Sequence, residues 1–262
     1  MRSAPNVPSG TPRTSWTSWT SWTSRPSHVA DRVFLLDVDN TLLDNDRIVA
    51  DLHAHLERAF GAACAQRYWT IFEDLRAEIG YADYLGALQR YRVEADLGGP
   101  DEQRLLWMSS FLIDYPFADR LLPRALEVID RLGRSGPTVI LSDGDVVFQP
   151  HKVQRSGLRD AVQGRVLIYI HKEARVADLM RRYPAPHYVL VDDKLRILAA
   201  MKDAMKDRLT TVFVRQGHYA HDAAQLAGLP PADVTIERIG ELADIDIDLN
   251  IRGDVETREV FP

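Results

Sequence analysis

Val33-Phe34-Leu35-Leu36-Asp37-Val38-Asp39-Asn40-Thr41-Leu42 is the stretch on which the fold turns. Four apolar residues run without polar alternation into an aspartate. Such a run suits a strand covered on both faces, as in a parallel sheet. Thr138–Leu141, Val166–Ile170 and Tyr188–Val191 share the design, and a fifth run covers Thr211–Val214. Stretches with helical spacing separate them: Pro123–Leu132, Glu173–Tyr183 and Leu195–Met205. This alternation predicts right-handed βαβ units and an α/β fold, a doubly wound (Rossmann-like) parallel sheet. Ligands bind such sheets at the carboxyl ends of the strands, so the polar residues there carry the functional reading.

One region breaks the alternation. From Asp46 to Tyr115 the signals are helical only: Leu52, Leu56 and Phe60 recur every four residues, as do Ile71, Leu75 and Ile79. Leu105, Met108 and Phe111-Leu112 predict a further helix, with Gly98-Gly99-Pro100 as a break before it. The expected organisation is an α/β core over 31–45 and 116–243. A small all-helical domain over 46–115 is inserted after the first strand and sits over the site. Trp69, Tyr84 and Trp107 read as the core of that insert. Residues 244–262 read as an acidic tail.

Residues 1–30 carry a repeat, Thr14-Ser15-Trp16, Thr17-Ser18-Trp19, Thr20-Ser21-Trp22, within Pro- and Ser-rich sequence. Period three fits neither a helical nor a strand face, and few aliphatic side chains are present to bury. The segment therefore reads as a disordered extension or as sequence upstream of a mis-assigned start, rather than a stacking strip. The rest is ordinary for a globular protein, 45% hydrophobic and 27% charged. A net charge of -6 excludes a general binder of nucleic acid polymers, whose backbones select surplus Lys and Arg. It leaves room for a small phosphorylated ligand. Cys64 is the only cysteine, so no intramolecular disulfide is possible, and it reads as a small buried side chain. No run is long enough to span a bilayer and no apolar leader is seen, so a cytoplasmic address is expected. Oligomeric state is not legible.

Acids and hydrogen-bonding groups cluster at the predicted strand ends. Strand one runs into Asp37 and Asp39, strand two ends in Ser142-Asp143-Gly144, and strand four ends in Asp192-Asp193. Carboxylates at the same end of neighbouring parallel strands converge and raise one another's pKa. A cation relieves that repulsion. An oxygen-rich site of this kind suits Mg²⁺, which keeps part of its shell for water and phosphate.

These motifs resemble the haloacid dehalogenase superfamily of phosphohydrolases over nearly all of Val33 to about Val214. Asp37-Val38-Asp39-Asn40-Thr41-Leu42 matches its first motif, Ser142 after an apolar strand the second, Lys172 the third, and Asp192-Asp193 the fourth. The order and the gaps of about thirty and then twenty residues make the set specific. The family's other fourth motif has an acid four residues on, but Ile197 stands there, so this chain resembles the adjacent-pair variant. The resemblance implies that Asp37 attacks phosphorus and forms an aspartyl-phosphate. Asp39 then acts as acid and later as base. Mg²⁺ is held by Asp37, the Asp39 main-chain carbonyl, Asp193 as the closer acid and Asp192 as its assistant. Ser142, Thr41, Asp143 and Lys172 serve the phosphate, with Thr41 also holding the first-motif loop. Among the chain's five lysines, Lys152 falls too soon after Ser142 for the third motif. Lys194 adjoins the acidic pair, and Lys202 and Lys206 belong to the next helix.

Two features narrow the implied chemistry. Dehalogenases of the superfamily lack the second acid that Asp39 supplies. Its phosphonatases use a lysine in the helical cap, and 46–115 contains none. The expected function is Mg²⁺-dependent hydrolysis of a small-molecule phosphomonoester. A phosphotransferase or mutase using the same site is the alternative, with a catalytically idle binding protein behind it. Substrate identity is not legible. Arg76, Arg90 and Arg92 read as solvated faces or local ion pairs, and His218-Tyr219 as a loop pair without chemistry.

Overall fold

The computed structural model describes residues 30–95 and 102–245. β1 (Arg32–Leu36) is followed by four helices: α1 (Asn45–Phe60), α2 (Ala62–Ile79), α3 (Tyr84–Ala95) and α4 (Glu102–Asp114). The chain then alternates: α5 (Ala125–Gly133), β2 (Thr138–Asp143), α6 (Phe148–Arg155), α7 (Leu158–Ala161), β3 (Val166–Tyr169) and α8 (Val176–Arg182). It continues through β4 (His187–Asp192), α9 (Leu195–Met205), β5 (Leu209–Val214), α10 (Ala223–Leu226) and β6 (Val234–Ile236). The six strands pair in parallel in the order β3-β2-β1-β4-β5-β6.

That order places the site. The chain builds outward from β1 through β2 to β3 on one side, and from β4 through β5 to β6 on the other. The direction of winding reverses between β1 and β4, and a crevice opens there at the carboxyl ends. Leu36 lies opposite Ile140 on β2 and Val191 on β4, so Asp37 leaves the sheet level with Asp192.

Strand residues alternate between two apolar layers. Phe34, Leu36, Ile140, Val189 and Val191 face one core, which continues into the helical insert through Leu52, Leu56, Phe72 and Met108. Val33, Leu35, Val139, Leu141 and Leu190 face the other, against Leu179, Ile197, Leu198 and Met201 of α8 and α9. Both faces are covered, which explains the unbroken apolar runs.

The insert leaves the sheet through a tight turn. Asn40 takes a left-handed conformation (φ 60°), which asparagine tolerates better than most residues. Its side-chain oxygen accepts from the Asn45 and Asp46 N–H groups at 3.0 and 3.1 Å, and its amide donates to Asp46 at 3.0 Å. Gly217 (φ 68°) packs against it, where a Cβ would stand 2.5 Å from Asn40. Asp44 then caps α1 by accepting from the Arg47 N–H.

Three expectations are corrected here. The helix expected over Glu173–Tyr183 is a 3₁₀ turn, Lys172–Arg175, followed by α8. Trp107 is 56% exposed rather than core, whereas Trp69 and Tyr84 are buried as read. Cys64 is only partly buried, at the edge of the insert's core. β6 was not expected at all. The Thr-Ser-Trp repeat, Gly98-Gly99-Pro100 and the tail beyond residue 245 lie outside the described residues. Among the described residues, no helix is long and apolar enough to cross a membrane.

Candidate active site

Asp37 follows β1, Asp192 ends β4 and Asp193 follows it, and all three are buried. Carboxylate oxygens of the three lie within 4.8 Å of one another. Lys172 enters from the turn after β3 and is 2% exposed. Its Nζ lies 2.5 Å from Asp37 Oδ1, 2.7 Å from Asp192 Oδ2 and 3.2 Å from the Leu141 carbonyl. Asp37 and the Leu141 carbonyl accept hydrogen bonds from that ammonium, and Asp192 pairs with it by charge. The Lys172 main-chain N–H donates to Asp143 Oδ1 at 2.7 Å.

This arrangement is electrostatically unbalanced. Burial pushes the Asp37 carboxyl up to about 6, with Lys172 pulling it down and Asp192 adding to the rise. Burial also holds Asp193 well above the carboxylate range, against the pull of Lys194 and with Asp192 and Asp37 adding to it. Lys172 is raised above an ordinary lysine because Asp192 and Asp37 outweigh its own burial. Asp192 Oδ1 accepts from the Lys194 N–H at 2.9 Å, but neither oxygen of Asp193 has a hydrogen-bond partner among the described residues. A buried carboxylate with both oxygens orphaned is costly unless a cation meets it. The donor set, three buried carboxylates, is a hard-oxygen set that fits Mg²⁺.

Asp39 stands apart from this cluster. Its Oδ1 is 2.8 Å from Lys152 Nζ and its Oδ2 is 3.5 Å from Gln149 Nε2. Gln149 also donates to Ser142 Oγ at 3.0 Å, which fixes the hydroxyl at the end of β2. Thr41 is fully buried, its hydroxyl 3.5 Å from Asp37 Oδ2. Asp37, Asp39, Thr41, Ser142, Asp143, Lys172, Asp192 and Asp193 therefore all lie at this sheet edge. The Asp143 carboxylate, by accepting from the Lys172 N–H, ties the turn that carries the lysine to the end of β2.

A cavity of about 970 Å³ separates the sheet edge from the insert. Asp39, Asp143 and Lys152 line its floor, and Trp69, Arg76 and Tyr84 line its roof. A second cavity, about 330 Å³ beside α9 and Pro230-Pro231, contains none of the site residues. The insert is fastened across the large cavity at two points. Arg76 donates to the Tyr219 hydroxyl, and His218 pairs with Asp46 through its main-chain N–H (2.8 Å) and Nδ1 (2.6 Å). The Lys194 ammonium lies over the Tyr219 ring at 4.9 Å. Arg76 and the His218-Tyr219 pair thus do more than their sequence reading assigned, whereas Arg90 pairs with Glu78 on the surface.

Lys152 and Gln149 were the residues missed. They lie three apart on α6, a spacing that puts both on one helical face just after Ser142, and that was the available signal.

Comparison with known proteins agrees with this geometry. The family described as haloacid dehalogenase-like hydrolase matches residues 32–213, and the chain belongs to that family. No curated protein sequence matches significantly. Among solved structures, a Burkholderia xenovorans LB400 protein, itself assigned provisionally as a haloacid dehalogenase-like hydrolase, is 64% identical. The match covers 84% of this chain and 98% of that one, with a TM-score of 0.79. L-2-haloacid dehalogenase from Xanthobacter autotrophicus, with chloropropionic acid covalently bound, is 19% identical over 86% of this chain and all of that one (TM-score 0.55). YfnB of Bacillus subtilis, provisionally a HAD-hydrolase and bound to magnesium, is 17% identical over 82% and 98% (TM-score 0.54). The last two likenesses are of fold alone.

Proposed function

We propose that this enzyme of the hydrolase family cleaves the phosphomonoester of a small metabolite, with Asp37 as nucleophile and Asp39 as acid and base. The observation that carries this reading is the unbalanced cluster of Asp37, Asp192 and Asp193, with Asp193 orphaned. A carboxylate displacing halide attacks a neutral carbon and needs no cation. A carboxylate attacking a phosphate dianion is repelled and does need one. Asp39 supports the same side, because a halide leaves without a proton and an alkoxide does not.

The residues that would hold Mg²⁺ are Asp37, Asp193, the Asp39 main-chain carbonyl and, at greater remove, Asp192. When bound, the ion supplies charge neutralisation between nucleophile and phosphate. The steps themselves belong to the chain. An Asp37 oxygen attacks phosphorus while the ester P–O bond breaks, and Asp39 donates a proton to the departing alcohol oxygen. Water then attacks the phosphorus of the aspartyl-phosphate, Asp39 takes its proton, and inorganic phosphate leaves with Asp37 restored. Lys172 steadies Asp37 throughout, and Ser142 and Thr41 offer hydroxyl donors to the phosphoryl oxygens.

The test is a panel of phosphomonoesters with Mg²⁺, run beside 2-chloropropionate, with phosphate and chloride release measured on the purified full chain. Phosphate release from at least one ester is expected. Chloride release without phosphate release would overturn the reading.

A further inference from the structure

We infer that Lys152 is the positioning residue for Asp39, and that it ties Asp39 to the helical insert through Asn45 and through the Phe148–Tyr84 ring contact. The inference rests on the proposed acid role of Asp39 but concerns a residue that the mechanism above does not use.

Lys152 is 1% exposed, and an ammonium so buried must be paired. Its pairs are Asp39 Oδ1 at 2.8 Å and Asn45 Oδ1 at 3.0 Å, with the Phe148 ring 5.5 Å away. No member of the Asp37, Asp192 and Asp193 cluster is among them. Each acid of the first motif therefore has its own lysine, delivered by a different element: Lys172 after β3 for Asp37, Lys152 on α6 for Asp39. The other contact to the Asp39 carboxylate, from Gln149, is long at 3.5 Å. The direction in which Asp39 points is thus set mainly by Lys152.

The second partner carries the link outward. Asn45 is the first residue of α1, where the chain has just left the sheet. A second route runs through Phe148, whose ring contacts both the Lys152 ammonium and the Tyr84 ring. Tyr84 opens α3 and is held within the insert. Its carbonyl accepts from the Tyr68 hydroxyl at 2.9 Å, and its ring stacks on Phe72 at 4.7 Å. It also meets the core across the cavity, at Phe148, 5.2 Å between centroids. Tyr84 cannot shift without the helices that grip it. A displacement of the insert is therefore felt at Asn45 and Phe148, then at Lys152, then at Asp39. Seating the insert and aiming the acid become one event.

A purely structural lysine would affect all substrates alike, whereas a positioning residue for the acid affects those that need the acid. The full-length wild type, Lys152→Met, Lys152→Arg and Asn45→Ala would be assayed by rapid quench for phosphoenzyme formation on p-nitrophenyl phosphate, whose leaving group needs little protonation, and on phenyl phosphate and glycerol 2-phosphate, whose leaving groups need more. Lys152→Met should slow phosphoenzyme formation on the two demanding esters by about 10- to 100-fold, the size of effect expected of a misplaced catalytic group. On p-nitrophenyl phosphate the loss in that step should stay within about threefold, while phosphoenzyme breakdown, which uses Asp39 as base, slows alike for all three. Lys152→Arg keeps the charge and guards against a folding failure of the Met variant. Its longer, planar head should displace Asp39 and give the same leaving-group pattern. Asn45→Ala, which frees Lys152 from the insert, should give that pattern more weakly. Equal losses of phosphoenzyme formation on all esters, or none, would overturn the inference.

A turnover-independent measurement accompanies the kinetics. In crystal structures of the wild type and Lys152→Met, the Asp39 carboxylate should leave its present position in the variant. An unmoved Asp39 would refute the positioning role. If the wild type hydrolyses none of the esters, the phosphatase reading fails, and the crystal comparison still decides whether Lys152 positions Asp39.

Discussion

Lys172 Nζ lies 2.5 Å from Asp37 Oδ1, and both side chains are almost wholly buried. The lysine shares itself with Asp192, so one positive charge serves two strand ends. Removing it strands a cluster of buried acids. Lys172→Met should destabilise the metal-free protein at neutral pH by about 3–5 kcal/mol, the usual consequence of breaking a buried ion pair from one side. Its thermal midpoint should recover more on addition of Mg²⁺ than the wild type's rises. Activity should fall by about 100-fold or more, since the donor beside the reacting group is gone. Thermal melts with and without Mg²⁺ check the first claim. A variant as stable as wild type in chelator would show that the acids do not lean on Lys172.

Asp37 must be ionised to attack, and burial has moved its pKa up to about 6. Turnover should therefore fall as pH drops through about 6. The stability contribution has the opposite sign. The folded value lies above the ordinary 3.8, so the folded state holds the proton more tightly than the unfolded chain. The stabilisation from this proton is complete below about pH 4 and is lost as pH rises through about 6. Acidifying the metal-free protein across that window should thus raise this group's contribution while activity declines. Mg²⁺ binds the ionised carboxylate, so more of it should shift the acid limb of kcat/KM to lower pH. Rate profiles at two Mg²⁺ concentrations read this directly, and a limb that stays put would count against Asp37 as a metal ligand.

Asp39→Asn separates the two carboxylates by chemistry. The amide keeps the shape and accepts from Lys152, but it can neither give nor take the proton. Formation of the phosphoenzyme should survive on p-nitrophenyl phosphate to within about tenfold and fall by about 100-fold or more on alkyl phosphates. Its breakdown by water should slow for both, because the base is missing. Rapid-quench measurement of labelled protein distinguishes the two steps. Similar losses of phosphoenzyme formation on both ester types would remove the acid role. By contrast, Asp37→Asn should form no phosphoenzyme at all.

The sheet was legible because its strands are buried on both faces and so print as apolar runs; β1 to β5 fall within about two residues of those runs. β6 was not, since Val234–Ile236 is three residues long and half exposed, too short for any periodicity. Asp37, Asp192 and Asp193 were legible from their places at strand ends, and Lys172 only through the resemblance of the ordered motifs. Lys152 escaped because nothing local marks it. Its importance comes from the packing of α6 against the turn that carries Asp39 and Asn45, residues more than a hundred positions away in the chain. Arg76 and Tyr219 escaped for the same reason, 143 positions apart and joined only where the insert meets the core. Local sequence reports what is buried; it does not report which distant partner a polar side chain will find.

Asp193 offers the sharpest test of the metal site, because its two oxygens are buried and meet no hydrogen-bond donor among the described residues. Without a cation this residue strains the fold, and burial has already raised its pKa well above the carboxylate range. Asp193→Asn removes the charge that the interior resists and leaves nearly the same volume. In chelator at neutral pH the variant should therefore be more stable than wild type. On adding Mg²⁺ the order should reverse. The wild type gains stability by mass action, and the variant, having lost its principal ligand, gains little. Asp192→Asn should differ, because that carboxylate already pairs with Lys172 and accepts from the Lys194 N–H. It should destabilise the protein in chelator and weaken Mg²⁺ binding only partly. Ca²⁺ should stabilise the wild type yet support turnover poorly, because its longer bonds and larger ligand number misplace the attacking oxygen. Calorimetric titration of Mg²⁺ into the three proteins, with melts in chelator, decides between the two acids. Unchanged Mg²⁺ affinity in Asp193→Asn would move the metal away from this cluster and leave its buried charge without an explanation.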